Sequence, residues 1–531
     1  MAKDLNQVVY QIYPLSFKDS NGDGIGDLNG IITELDYLKD LGVDVIWLSP
    51  VYQSPMDDNG YDISDYYEVN PMFGSKTDLM NLLNKAHEKG LKVIMDLVLN
   101  HTSDEHVWFK EALKGPNNPY YDYYIWSDTP SDITSVFSGS AWQYVEHLKQ
   151  YYFHLFSVKQ PDLNWQNKTL RTEIYRMINY WLDLGFDGFR LDVIDLIGKD
   201  VYSKRLADGP YLDAYLEELY ETCFKGREVF TVGEMPGISL KRANEITSTH
   251  PALDMVFQFD HIALDEQPGQ GKWMLKTLDL HALKQTLNNT QQIFKDKGWP
   301  SLFLSNHDQP RAVSRYGNPS EKYRNDSAKM LFTLLFGMKG TPYIYQGEEF
   351  GMTGIKMAIE DYKDIETKNI YQELKQKGFK EADIMNSIYA KSRDNSRTPM
   401  QWNETVNAGF STGSPWLKVN PNYVLINRDT DQKDPNGIIT YVKDLLKLRK
   451  SNPLFNTGAF NLLFEDHPNL FIYERASETE RIVVVCNWTD VTIENPLSIE
   501  KMSVLLSNST DHITLKPYYT GIYYEKRTIH A

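Results

Sequence analysis

Gly188-Phe189-Arg190-Leu191-Asp192 is the stretch from which the fold of this 531-residue chain is read. Its apolar residues alternate with the others at the two-residue period of a strand, so Arg190 and Asp192 share one face. The helical pattern Leu170–Leu184 precedes it, and Tyr211–Cys223 follows before the next apolar run, Phe230–Gly233. Working outward, the alternation repeats. Candidate strands are Val8–Tyr13, Val45–Leu48, Val93–Leu97, Phe189–Leu191, Phe230–Gly233, Val256–Phe259, Leu302–Ser305 and Pro342–Tyr345. Amphipathic stretches Thr33–Leu41, Thr77–Lys89, Ala282–Lys297 and Ser327–Phe336 fall between others of them. The β-branched and aromatic content suits strands buried on both faces. Eight strand–helix alternations predict an α/β fold, a parallel (β/α)8 TIM barrel.

Two segments interrupt the barrel. Residues 101–168, rich in Tyr, Trp, Asp and Pro, form an insertion after strand three, and residues 348–403 form another after strand eight. Loops that long carry structure and function of their own. Beyond about residue 455 short alternating runs such as Asn469–Glu474, Arg481–Asn487 and Met502–Leu506 read as antiparallel β. The expected organisation is a barrel in two parts, 1–100 and 169–454, an inserted domain at 101–168, and a C-terminal β-sandwich at 455–531.

Composition narrows the partners. With 55 basic and 72 acidic residues the net charge is −17, which argues against nucleic acid. Two cysteines, Cys223 and Cys486, exclude a disulfide framework and are expected as buried thiols. No apolar stretch suits a signal peptide at Met1–Val9 or a membrane span elsewhere, so a cytoplasmic monomer without a membrane partner is expected.

Barrel proteins carry their working residues at the C-terminal ends of strands. Those ends read Asp96-Leu97-Val98-Leu99-Asn100-His101, Arg190-Leu191-Asp192, Gly233-Glu234 and Asn306-His307-Asp308. Any one acidic residue there could be a helix cap. Several in one mouth repel, and a protein keeps them together only where the charge is used. Glycoside hydrolysis with retention uses such a pair, about 5–5.5 Å apart, a separation that neighbouring strands about 4.8 Å apart can supply. Asp192 is expected as nucleophile, kept ionised and oriented by Arg190. Glu234 is expected as general acid/base with a raised pKa. Asp308 is expected to bind hydroxyls and stabilise the transition state, with His101 and His307 as further hydroxyl ligands.

At these residues the sequence resembles the α-amylase superfamily, glycoside hydrolase family 13, over nearly its whole length, Gln11-Ile12-Tyr13-Pro14 on strand one included. Within it the chain resembles the oligo-1,6-glucosidase and dextran glucosidase group, through Gln160-Pro161-Asp162-Leu163-Asn164-Trp165, Gly233-Glu234-Met235-Pro236-Gly237, the run 341–348 and Ser392-Arg393-Asp394-Asn395-Ser396-Arg397 with the residues on to Trp402. The resemblance implies an exo-acting α-glucosidase whose partners are small neutral oligosaccharides. It implies that Asp58, Tyr61, His101, Phe156, Gln160, Arg190, His307, Asp308 and Arg393 hold the non-reducing glucose, with Phe137 closing the pocket. Val193, after the nucleophile, goes with α-1,6 preference in that group, where Ala or Thr goes with α-1,4; simple barrel packing is its other explanation. Pro236 stands where some dextran enzymes carry Trp, implying short substrates. Lys272 and Glu366 are candidates for the second sugar, or ordinary surface charges.

The loop Asp19-Ser20-Asn21-Gly22-Asp23-Gly24-Ile25-Gly26-Asp27 offers oxygens at alternate positions, Asp19, Asn21, Asp23, Ile25 through its carbonyl, and Asp27. That suits a structural Ca2+, which relatives carry there, although Gly30 replaces the Glu expected at position twelve; an Asx-turn loop without metal is the alternative. No catalytic cofactor is expected. Rival activities are a trehalose-6-phosphate hydrolase, which shares Asn306–Arg311 and Ser392–Arg397 but is disfavoured by a short Asp195–Gly209 stretch without a clear basic cluster, and an α-1,4-preferring α-glucosidase. A sucrose isomerase lacks its Arg-rich motif here. An inactive barrel serving as an interaction subunit fits poorly, because both acids are present.

Overall fold

The computed structural model describes residues 3–527; residues 1–2 and 528–531 of the expected terminal segments lie outside it. Eight parallel strands form the barrel: β1 Val9–Ile12, β2 Val45–Leu48, β3 Lys92–Val98, β4 Gly188–Asp192, β5 Phe230–Glu234, β6 Met255–Phe257, β7 Ser301–Leu302 and β8 Thr341–Tyr345. Neighbours in sequence pair in register from β1 to β6; β7 pairs with β8, and β8 with β1. The gap between β6 and β7 closes through the bridge of Val256 with Pro300 and the Ser301 hydroxyl donating to the Val256 carbonyl.

The expected seventh strand, Leu302–Ser305, is corrected to Ser301–Leu302. The chain leaves the ladder early, and Asn306 then accepts from the Asp308 amide in a turn that swings His307 and Asp308 over the barrel mouth. The excursion after β8 also outruns 348–403. Helices Ile365–Gln376 and Glu381–Lys391 are followed by short turns and the helix Arg428–Lys433 before the eighth barrel helix, Ile438–Ser451. The sequence between is rich in Asn, Pro, Gly and Asp, which hides the return of helical periodicity at 438.

The lumen is filled by Val9, Val45, Trp47, Ile94, Phe230, Val232, Met255, Phe257, Phe303 and Tyr343. Trp47 packs on Phe257 and Tyr343, with centroids 5.5 and 6.3 Å away. This aromatic plug is the floor of the mouth. A larger apolar layer lies between the strands and the outer helices.

Residues 101–168 build a three-stranded antiparallel sheet, Trp126–Ser127, Gln150–Phe153 and Trp142–Val145. Its Ala141, Trp142, Phe153 and Leu155 pack on Val193, Leu196 and Val201 from the segment after β4. The buried Lys199 ammonium ties the same junction, 2.6 Å from Asn100 Oδ1 and 3.2 Å from Asp162 Oδ2.

The C-terminal domain is one five-stranded antiparallel sheet, ordered Ala459–Leu463, Leu470–Ala476, Glu480–Asn487, Thr520–Lys526, Ser503–Ser507. A two-stranded ladder, Ile493–Glu494 with Thr514–Leu515, lies beside it, so the expected sandwich has one full layer and one small one. Alternation sends Phe471, Tyr473, Val484 and Cys486 toward the barrel's core and Leu470, Ile472, Val483 and Val485 into the domain's own. Cys223 and Cys486 are buried free thiols. Among the described residues no helix is long and apolar enough to cross a membrane.

Candidate active site

Strand register assembles the centre of the mouth. Arg190 on β4 sits opposite Asp96 on β3 and Val232 on β5, and Leu191 opposite Gly233, so Asp192 and Glu234 emerge side by side. Arg190 is fully buried and holds three carboxylates. Its Nη1 lies 2.5 Å from Asp96 Oδ1 and 2.5 Å from Asp192 Oδ1, and its Nη2 lies 2.7 Å from Glu234 Oε2. The guanidinium rests over Trp47 at 5.3 Å. Asp96 is fixed in turn by the Trp47 indole N–H at 2.7 Å and the Tyr61 hydroxyl at 3.1 Å.

One cation cannot neutralise three buried carboxylates, so the cluster retains protons. Burial raises the pKa of Asp96 to about 6, Asp192 to about 7 and Glu234 to about 8, each opposed by Arg190. Glu234 is raised furthest, the sense that favours a proton there and charge on Asp192. An anionic carboxylate beside a protonated one can deliver a nucleophile and an acid to a single bond.

A second ionic group forms the far wall. Asp308 lies 2.7 Å from Arg397 Nη2 and 3.4 Å from Arg393 Nη1. Burial works against its charge, but the cations Arg397, Arg393 and Arg190 outweigh burial and hold the carboxyl far below the usual range. Gln11 donates to His307 Nδ1 at 2.7 Å, which leaves the imidazole proton on Nε2, 3.1 Å from Asp308. Burial lowers the pKa of His307 to about 3 and of His101 to about 4, so both are neutral hydrogen-bonding groups near pH 7. Arg393 Nη2 binds Asp58 at 2.8 Å and Asp364 at 2.6 Å. Gln160 donates to Asp58 at 3.1 Å and lies 3.2 Å from His101 Nε2. Tyr61 stacks on His307 at 5.2 Å. Phe137 packs between the Arg393 guanidinium and Phe156, at 5.0 and 5.6 Å.

These contacts bring together Asp192, Glu234, Asp308, Asp58, Tyr61, His101, Phe137, Phe156, Gln160, Arg190, His307 and Arg393. Lys272 and Glu366 pair at 2.6 Å, and Glu366 reaches Arg393 at 3.5 Å, so the pair is linked to the far wall through Arg393. Val193 lies in the apolar cluster beneath the inserted domain, and its amide donates to Glu234 Oε2 at 3.2 Å. Pro236 is exposed two residues past Glu234 and makes no contact with the cluster among the described hydrogen bonds and ion pairs.

Sequence reasoning missed Asp96 as the partner of Arg190, and Arg397 and Asp364 as partners of the far wall. Asp96 could have been found from its strand phase, which matches Arg190. Asp364 carried no signal, because nothing in the sequence pairs the N-cap of the helix Ile365–Gln376 with a distant Arg393.

The loop 19–27 lies apart from the mouth. Asp19 accepts from the amides of Asn21, Gly22 and Gly24 and from the Ser411 hydroxyl; burial opposes its charge, but these bonds lower its pKa. Asp27 caps the helix Leu28–Thr33. Gly24 has φ +90°, and a Cβ there meets the Ser414 carbonyl at 1.8 Å, so the turn requires glycine. Among the described residues no group of three or more His, Cys, Asp or Glu side chains forms a metal cluster. A donor set that includes Asn21 and the Ile25 carbonyl would be of a different kind, all oxygen, the chemistry a hard cation takes.

Comparison with known proteins agrees with this geometry. The family described as Alpha amylase, catalytic domain, matches residues 11–458. The oligo-1,6-glucosidase of Halalkalibacterium halodurans is 49% identical, covering 98% of this chain and 98% of its own. The crystal structure of Bacillus licheniformis trehalose-6-phosphate hydrolase superposes with TM-score 0.92 at 44% identity, over 98% of this chain and 99% of that one. The isomaltulose synthase of Klebsiella sp. LX3 gives TM-score 0.94 at 36% identity, over 98% and 99%.

The pH dependence tests the proton order. The rate on an aryl α-glucoside is expected to rise as Asp192 ionises and fall as Glu234 loses its proton, with both limbs above the ordinary carboxylate range. Asp96→Asn removes a negative neighbour that raises the Asp192 pKa, so the kcat/KM profile should move to lower pH; an upward shift contradicts the assignment.

Proposed function

Because the chain belongs to the α-amylase family and, within it, to the oligo-1,6-glucosidase and dextran glucosidase group, we propose that this glycoside hydrolase is a retaining, exo-acting α-glucosidase that releases glucose from the non-reducing end of short α-1,6-linked oligosaccharides such as isomaltose and panose. The observation that carries the reading is the single guanidinium of Arg190 shared by Asp192 and Glu234.

Asp192 Oδ1 is engaged by Arg190, so Oδ2 is the oxygen that attacks the anomeric carbon. Glu234 gives its proton to the departing glycosidic oxygen, leaving glucose esterified to Asp192. Glu234, now a base, takes a proton from water, whose oxygen displaces Asp192 and restores both groups. The ionised Asp308 and the neutral His307 and His101 bind hydroxyls and strengthen their hold as positive charge grows on the sugar ring. The Asp58–Arg393 pair, backed by Phe137, blocks the end of the pocket, which accounts for exo-action. Val193, next to the nucleophile and packed in the wall shared with the inserted domain, biases the linkage, and the Lys272–Glu366 pair offers donors and acceptors to the departing sugar. The exposed Pro236 leaves the rim without a platform for long chains.

A phosphorylated disaccharide needs a cation at the mouth. In the 195–209 segment Lys199 is held by Asn100 and Asp162, Lys204 by Asp132, and Arg205 donates to the Asp208 carbonyl. This engagement supports the neutral-substrate reading. Glucose release from isomaltose, maltose and trehalose 6-phosphate tests it: isomaltose is expected to be preferred, and preferred turnover of trehalose 6-phosphate overturns the reading. Val193→Ala should shift the isomaltose-to-maltose ratio toward maltose by roughly tenfold, as one to two methyl groups in a pocket allow; an unchanged ratio removes Val193 from linkage choice.

We further propose that Asp19, Asn21, Asp23, Asp27 and the Ile25 carbonyl hold a structural Ca2+. Its charge would stitch this loop to the 410–416 segment, which already meets it through Phe410, Ser411 and Trp416. Chelation with EGTA should lower Tm by a few degrees, and Asp23→Ala should abolish that difference. A chelator-insensitive Tm contradicts the proposal.

A further inference from the structure

Val193 occupies a backbone conformation that its side chain disfavours. Its φ is 36° and its ψ 45°, in the left-handed region, where a β-branched residue is a genuine outlier. Such strain persists only where surroundings enforce it, and it concentrates at working sites. Two features enforce it here. The turn Ile194–Leu196 follows at once, and Asp195 within it accepts from the Gly237 amide, tying the turn to the loop beyond Glu234. The Val193 side chain, only 8% exposed, is seated among Trp142, Phe153 and Leu155 of the inserted domain.

The N–H of residue 193 belongs to the peptide that ends β4 and points at Glu234 Oε2, 3.2 Å away. The left-handed turn sends the chain after it away from the ladder. Arg190 binds the same oxygen at 2.7 Å. Both donors therefore fall on Oε2, and Oε1 makes no hydrogen bond among the described residues.

We propose that Val193 is a positioning residue: its N–H, held in place by the packing of its side chain against the inserted domain, fixes the Glu234 carboxyl so that Oε1 carries the proton to the glycosidic oxygen. This rests on the acid/base role proposed above for Glu234. It gives the residue after the nucleophile a function through its N–H, apart from the linkage bias proposed for its side chain. It also makes the inserted domain a support for proton transfer as well as a wall of the pocket. Glu234 is faced by Arg190 and Asp192 from β4, Asp96 from β3, Asp195 from the following turn and Asp308 from the loop after β7. Among these the Val193 amide acts in the same sense as Arg190, favouring the carboxylate, so its loss raises the pKa of Glu234.

The test replaces the amide before Val193 by an ester, through nonsense-suppressed incorporation of the α-hydroxy analogue of valine, which removes the N–H and keeps the side chain. Kinetics are compared on isomaltose, whose leaving group needs a proton, and on α-glucosyl fluoride, whose leaving group needs far less help. The expected result is a loss of kcat/KM on isomaltose of about ten- to a hundredfold, the scale of one hydrogen bond to a charged group. The alkaline limb moves to higher pH, and kcat/KM on the fluoride is retained. Unchanged isomaltose kinetics and pH profile overturn the inference, and so does an equal loss on both substrates, which marks a general distortion. Glu234→Ala in the same assays separates the two layers. If it loses isomaltose turnover, keeps the fluoride and is rescued by azide while the ester is silent, the positioning inference alone fails. If it keeps isomaltose turnover, the acid/base reading itself fails.

Discussion

Arg190 is the interaction on which the rest depends. A fully buried guanidinium is tolerable only with its charge matched, and three carboxylates over-match it. The mismatch is the useful part. It leaves the cluster a proton that no single ion pair would hold, and the raised Glu234 is the group that favours it. Below, the aromatic plug of Trp47, Phe257 and Tyr343 supplies both the low-polarity floor and the indole donor that fixes Asp96.

The rest of the mouth is built from loops that the barrel alone would not bring together. The inserted domain contributes Phe137, Phe156 and Gln160, and the excursion after β8 contributes Asp364, Arg393 and Arg397. Their ionic contacts converge on Asp58 and Asp308. The pocket is thus closed by charge pairs between segments distant in sequence. Removing one partner of such a pair leaves the other buried and unmatched, a far larger cost than losing a surface bridge.

The barrel was legible because its strands are short, doubly buried and regularly spaced, and because strand phase sets which residues face the mouth. Phase placed Arg190 beside Asp192 and both near Glu234. The strand that was misjudged, β7, is the one whose pairing ends after two residues, a fact set by its neighbours. Likewise the eighth barrel helix was hidden behind 34 irregular or short-helix residues, 404–437, that read as loop. Of the far wall, Asp308 and His307 were legible from their strand end and Arg393 through family resemblance, while the Asp364–Arg393 pairing is tertiary and left no trace in the sequence. The left-handed Val193 was not legible at all: a valine predicts extended backbone, and only the packed structure shows otherwise.

The central claim is that Asp192 forms a covalent bond to glucose while Glu234 handles protons. Trapping with 5-fluoro-α-D-glucosyl fluoride followed by peptide mass spectrometry tests it most directly. The expected result is one fluoroglucosyl adduct on the peptide containing Asp192. An adduct on Glu234 or Asp308, or no adduct with β-glucose as the first product, contradicts the account.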